Sequence, residues 1–161
     1  MAEFLHERGH RHVAIITAGD ARARARADAF IRRSKALGAQ SAQVFFTTAP
    51  STVGAGRKGL ATLLQASPEI TGVFCSSDSL ALGTLIEAQH RGVRVPAQVA
   101  IVGMGDQSFA QDAQPALTTV RLDGTRIGVI AAELMIARAE GRPVDSPIVD
   151  VGFHMVIRDS T

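Results

Sequence analysis

Tryptophan and tyrosine are missing from this chain, cysteine occurs once, and acids and bases nearly balance. Each shortage closes off a class of function. Without Trp or Tyr, and with little clustering of basic residues, there is no stacking platform for single-stranded nucleic acid. A net charge of +2, from 17 Lys and Arg against 15 Asp and Glu, is too small to announce a nucleic-acid binder. The lone Cys75 has no partner for an internal disulfide. It falls in a short apolar run and reads as an inert core thiol in a reducing compartment. No apolar run approaches membrane-spanning length, and the opening residues, MAEFLHERGHRH, lack the apolar stretch of a secretory signal. These absences predict a cytoplasmic protein with no membrane partner.

Metal-ligand spacing is absent too. His6, His10 and His12 cluster, but Gly9 interrupts any helical spacing between the first two, and no acid or cysteine stands at matching distance. No metal or other cofactor is expected. There is no nucleophile elbow, and Cys75 has no nearby His. The stretch Gly54 to Gly59, GAGRKG, imitates a phosphate loop but lacks the Lys followed by Ser or Thr and follows no strand directly. Its glycines read instead as a place where a helix packs closely. The arginine-dense stretch Arg22 to Lys35 reads as a solvated helix face. Nothing supplies an activated nucleophile, so binding is favoured over catalysis.

What is present is an alternation of short apolar runs and helical patterns. At 161 residues with 46% hydrophobic content, the chain can bury a real core as one domain. Gly72 to Cys75 is too short for a helix and reads as a strand. A helical pattern through Leu80, Leu82, Leu85, Ile86 and Gln89 follows, stopped by Gly92 and Pro96. Val99 to Met104 then closes a parallel strand–helix–strand unit.

The same alternation extends outward. Ala2 to Arg8 is a helical stub, Val13 to Ile16 a strand covered on both faces, Ala21 to Leu37 a helix, and Val44 to Phe46 a strand. An Arg24–Asp28 pair at helical spacing is expected on the first long helix. Val53 to Ala66 is a helix facing inward through Gly56, Leu60, Leu63 and Leu64. After an irregular stretch, Leu117 to Val120 is extended and Gly124 to Ala139 is helical. Pro147 to Val151 and His154 to Ile157 read as strand material broken at Gly152. The fold class is α/β, a doubly wound and mostly parallel sheet.

In such a sheet the chemistry collects at the carboxyl ends of the strands. Asp20, Arg22 or Arg26, Ser51, Asp78 and Asp106 fall at those ends. A guanidinium and carboxylates on one rim could clamp a polyhydroxylated or anionic small molecule. Asp78 has a plainer reading as the cap of the helix it opens.

The segments GHRHVAIITAG, RADAF, VFCSSDSLALGTL, GVRVPAQVAIVGMGD and PALTTVRLDGTRIG, with the terminal VIRDST, resemble the LacI/GalR type of bacterial transcription regulators over essentially the whole chain. The Met-Gly-Asp-Gln wording after Val102-Gly103 is similar to the branch that handles gluconate and related sugar acids. The resemblance implies a periplasmic-binding-protein-like lobe and a partial effector-binding domain over 1–161. The C-terminal lobe would occupy 10–121 and 143–161, and a crossover helix segment 122–142 would normally pack on a first lobe. It implies that Arg26, from R-x-x-x-F, and Asp78, before S-L-A-L-G, hold a sugar or sugar acid such as gluconate. Ala29 replaces the family's usual Gly, and Leu122 stands where some members place a polar effector contact. Leu85, Ile86, Gln89 and Gln107 resemble dimer contacts, so a homodimer is expected. Operator DNA would be reached only through a headpiece absent from these residues.

The helix from Gly124 to Ala139 is apolar on more than one stripe. It is expected to be exposed on one side, to meet another chain, or to be displaced. A different class of function, a small stand-alone α/β enzyme or receiver-like signalling domain, would need a carboxylate cluster from Asp20, Asp78 and Asp106. A fragment that folds without independent activity is the third reading.

Overall fold

The computed structural model describes residues 1–144, 146 and 148–161. Its elements are α1 (Ala2–Glu7), β1 (His12–Ala18), α2 (Ala21–Ala36), β2 (Ser41–Thr47), α3 (Val53–Ala66) and β3 (Gly72–Cys75). There follow α4 (Asp78–His90), β4 (Ala100–Met104), a short 3-10 turn (Ser108–Gln111), β5 (Thr118–Arg121), α5 (Gly124–Ala139) and β6 (His154–Val156). The strands form one sheet in the order β2-β1-β3-β4-β5-β6, parallel except for the antiparallel edge β6. This is the doubly wound sheet that the short apolar runs imply, and the order reverses between β1 and β3.

Alternation along the strands divides the core in two. Ala14, Ile16, Val73, Cys75 and Ile101 point toward α3 and α4, with Leu60, Leu63, Leu80 and Leu85 packed on them. Val13, Ile15, Phe74 and Val102 point the other way, toward Ala2, Leu5, Ala27 and Phe30 of α1 and α2. Helices α3 and α4 approach at backbone distance. A Cβ on Gly56 would strike the carbonyl oxygen of Leu80, and one on Gly83 would strike that of Val53. The glycines of the 54–59 stretch are therefore packing devices, and Gly59 likewise lies against Ile16 and Phe45.

Several local readings are corrected. Ser77 caps α4, its Oγ accepting from the Leu80 N–H at 3.3 Å, while Asp78 is the first helical residue and turns inward. Arg24 does not pair with Asp28. Its Nε donates to the Gly19 carbonyl at 2.8 Å and its guanidinium lies over the Phe46 ring. Of the last expected strands only His154–Val156 forms among the described residues, adding antiparallel to β5. Ile148 to Val151 carries no strand, and Pro147 lies outside the described residues.

The C-terminal tail fills a gap in the sheet. Pairing of β4 with β5 begins at Val102 opposite Thr118. Before that point Ser160 stands between the strands. Its carbonyl accepts from the Ile101 N–H at 2.8 Å and its N–H donates to the Ala116 carbonyl at 3.0 Å. Its hydroxyl donates to the Ile101 carbonyl at 2.6 Å and accepts from the Thr118 N–H at 2.8 Å.

Helix α5 turns only Ile130, Leu134 and Ala137 toward the rest of the chain. Val129 is 52% exposed, Met135 67% and Ile136 52%. The expectation of an uncovered apolar side is met.

Candidate functional site

Because β1 to β4 run parallel, the residues that follow them share one edge of the sheet. Asp20 follows β1, Ser51 lies in the loop after β2, Asp78 follows β3, and Asp106 follows β4. At the switch point between β1 and β3, the Thr17 hydroxyl donates to the Ser76 hydroxyl at 2.8 Å. Topology brings four of the five rim residues to one edge, but their side chains then diverge.

Asp20 is exposed and caps α2, accepting from the N–H groups of Arg22 at 3.0 Å and Ala23 at 3.1 Å. The Ala23 bond, aided by the one from Arg22, holds its carboxyl below the ordinary value against an opposing desolvation. Ser51 is half-buried at the approach to the α3 cap, Thr52, whose hydroxyl accepts from the Ala55 N–H.

Asp78 is wholly buried. Its Oδ1 accepts from the Thr119 hydroxyl at 2.6 Å and its Oδ2 from the Gln107 N–H at 2.7 Å. The carboxylate sits under Gly103, where any Cβ would collide with it. Both oxygens are thus engaged by the chain itself, where the sequence pattern had them open to sugar hydroxyls.

Asp106 adopts left-handed backbone, φ 52°, in the loop after β4. Arg158 donates to its Oδ1 at 2.8 Å and Arg121 to its Oδ2 at 2.5 Å. Arg158 also donates to the Leu117 carbonyl at 2.8 Å, so the tail ties the loop to β5. Burial works to raise the Asp106 carboxyl, but the two arginines outweigh it and leave it below the ordinary value.

Arg26 stands on the other side of the sheet from Asp78. It is half-buried and lines a cleft of about 460 Å³ over the part of the sheet that α1 and α2 leave open. Phe74, Met104 and Val120 line the sheet side, with Leu122 and Phe153 beyond them, and Arg33, Ala29 and Phe30 stand beside Arg26 on α2. Asp78 is absent from these walls, so Arg26 and Asp78 do not share this cavity. Arg33 holds Glu3 at 2.5 Å, whereas Arg26 makes no ion pair among the described residues. The cleft therefore offers an apolar floor and one uncommitted guanidinium, an arrangement that suits an anion attached to a less polar body.

The expected dimer residues also separate. Leu85 is 4% exposed and belongs to the core between α3 and α4, so it offers no surface. Ile86, Gln89 and Gln107 are exposed. Arg121, Thr119 and Arg158, which shape this edge, carry no local signal in the sequence. Their partners at this edge lie 13 to 52 positions away. No group of three His, Cys, Asp or Glu able to hold a metal occurs among the described residues. No described helix is long and apolar enough to cross a membrane.

The sequence matches the periplasmic binding protein-like domain family over residues 2–161. The HTH-type transcriptional regulator GntR of Pseudomonas aeruginosa is 36% identical over 162 residues, covering 99% of this chain and 47% of that protein. The crystal structure of transcription regulator GntR from Chromobacterium violaceum superimposes with a TM-score of 0.89 at 31% identity, covering 99% of this chain and 59% of that one. A complex of transcriptional regulator CelR with cellobiose gives 0.89 at 27% identity, covering 99% of this chain and 50% of that one. The chain spans about half the length of the curated relatives it matches. With the match running over nearly all of its residues, the chain belongs to the periplasmic binding protein-like domain family, in the form carried by LacI-type transcriptional regulators.

Proposed function

We propose that the chain is the effector-sensing and dimerising part of a LacI-type regulator that responds to a sugar acid such as gluconate. Operator DNA would be reached through a separate headpiece. The observation that carries the choice of an acid is Arg26, a half-buried guanidinium without an ion pair among the described residues, on an otherwise apolar cleft wall. Arg26 pairs the ligand carboxylate, while Asp20, which caps α2, and Ser51, at the approach to α3, stand outside the walls of that cleft. Asp78 and Asp106 keep the carboxyl edge in shape through Thr119, Gln107, Arg121 and Arg158. Self-association uses the exposed Ile86, Gln89 and Gln107. In a complete regulator, a ligand shifts the spacing of DNA-binding heads only by binding two arrangements of the protein unequally.

An open half-cleft admits water, so affinity is weak and calorimetry with gluconate gives no heat below millimolar concentration. The test is thermal unfolding with gluconate, cellobiose and lactose, each at tens of millimolar. The midpoint rises with gluconate, and Arg26→Ala removes the rise. Equal shifts with the neutral sugars, no shift at all, or a shift unchanged in Arg26→Ala would overturn the reading.

A further inference from the structure

The amino edge of the sheet lies opposite the edge that carries Asp20, Ser51, Asp78 and Asp106, and it holds a second cavity of about 440 Å³. Small-molecule pockets run from roughly 300 to 1,000 Å³, so this one suffices for a ligand. Helices α3 and α4 touch in their first halves, through Gly56 and Gly83, and leave a wedge between their C-terminal ends. Ile70 and Val99, which precede β3 and β4, form its floor, and Leu64 and Val93 form its sides. Neither α5 nor any residue after it lines this cavity, so its walls are complete within the two helix–strand connections.

The two sides differ in polarity. On the α4 side Arg91 donates through Nε to Glu87 at 2.8 Å, and its terminal nitrogens have no partner among the described residues. Gln98 accepts through Oε1 from the Arg94 N–H at 2.9 Å, which leaves its amide nitrogen to donate. On the α3 side the carbonyls of Leu64 and Gln65 receive no backbone N–H among the described residues. The helical partner of Leu64 would be Pro68, which has no N–H to give. The last turn of α3 carries no basic residue to answer its dipole. Glu69 follows on the same side, exposed, with the His12 ring nitrogen 4.0 Å away as its ion-pair contact.

From this polarity we infer that the cavity binds an α-amino acid with a branched apolar side chain. Its carboxylate rests on Arg91 and the Gln98 amide, its ammonium on Glu69 and the open end of α3, and its side chain on Ile70 and Val99. Charge-assisted bonds at both ends orient the ligand, and the apolar floor selects its body. The cavity shares no residue with the Arg26 cleft, so the inference stands or falls separately from the gluconate response.

Amide-resolved nuclear magnetic resonance of the 161-residue chain with leucine at millimolar concentration tests it. The signals of Ile70, Thr71, Val93 and Val99 move and saturate, while those of Met104 and Leu122, beside Arg26, stay in place. Isocaproate, which lacks the ammonium, and isoamylamine, which lacks the carboxylate, each bind roughly tenfold more weakly or worse. Glu69→Gln and Arg91→Gln each raise the dissociation constant for leucine by roughly tenfold. Arg91→Gln also loses the Glu87 bond, so the exposed Glu69→Gln carries the test if that variant unfolds. Absent shifts, equal binding of the two half-ligands, shifts centred on the Arg26 cleft, or unchanged affinity in Glu69→Gln would overturn the inference.

Discussion

The Thr119 hydroxyl and the Asp78 carboxylate meet at 2.6 Å in the interior, joining β5 to the first turn of α4. The other carboxylate oxygen takes the Gln107 N–H, so one buried side chain organises a strand, a helix and the loop after β4. Removing it leaves a hydroxyl and an amide without their acceptor. Asp78→Ala therefore costs roughly 3 kcal/mol, read from urea unfolding. Thr119→Val, which removes a donor and leaves an acceptor with one remaining bond, costs less. Equal stability of Asp78→Ala and the unaltered chain would show that the network does not hold the edge.

The meeting of α3 and α4 predicts intolerance of a single methyl group. At Gly56 or Gly83 the added Cβ meets backbone carbonyl rather than a movable side chain end. Ala at either position costs about 3 kcal/mol or prevents folding, against the small gain that Gly→Ala gives in an unobstructed helix. Gly128→Ala is the internal comparison, because a Cβ there meets nothing within the chain. It raises thermal stability of the monomer by up to about 1 kcal/mol.

Two clamped carboxylates set the response to acid. Glu87 is held below its ordinary value first by its bond from Arg91 and then by Arg57, against some desolvation. Asp106 is held low by Arg158 and Arg121 in spite of burial. A depressed carboxyl stabilises the fold above its unfolded-state value and loses that contribution as pH falls through the lower folded-state value. The contribution of these two carboxylates is therefore constant above about pH 5 and declines below about pH 4. Glu87→Gln and Asp106→Asn lower the neutral-pH plateau and flatten the acid limb. A limb of unchanged slope in both variants would contradict the assignment.

Cys75 is inert while the chain is folded. Burial pushes its thiol up to about 12, and its sulfur lies 3.3 Å from the Thr84 hydroxyl. A thiol reagent at pH 8 labels the native protein only as fast as it opens, and labels it promptly in urea. Immediate stoichiometric labelling of the native chain would contradict the buried position.

Local signals explain why so much of the fold was legible. Gly72–Cys75, Val53–Ala66 and Gly124–Ala139 form over the residues that periodicity and stop signals mark. The core of α2 follows its helical spacing through Ala23, Ala27, Phe30 and Ser34. What the chain did not disclose depends on distant partners. Ser77 rather than Asp78 caps α4 because Thr119 and Gln107 draw the carboxylate inward. Arg24 leaves Asp28 for Phe46, which only the folded sheet places beside it. The resemblance groups Leu85 with Ile86 and Gln89 as dimer contacts, yet a helix turns successive residues by about 100°. The two residues therefore point in different directions, one into the core and one outward. The site was legible as a rim and not as a cavity, since strand order places residues on an edge while tertiary bonds decide where their side chains go.

Ser160 is bonded on both sides, to Ile101 of β4 and to Ala116 and Thr118 beside β5, and Arg158 anchors the Asp106 loop two residues earlier. Exchange of the Ile101 and Thr118 amide protons is therefore tied to the seating of this one residue, so that release of the tail and opening of the seam between two central strands are a single event.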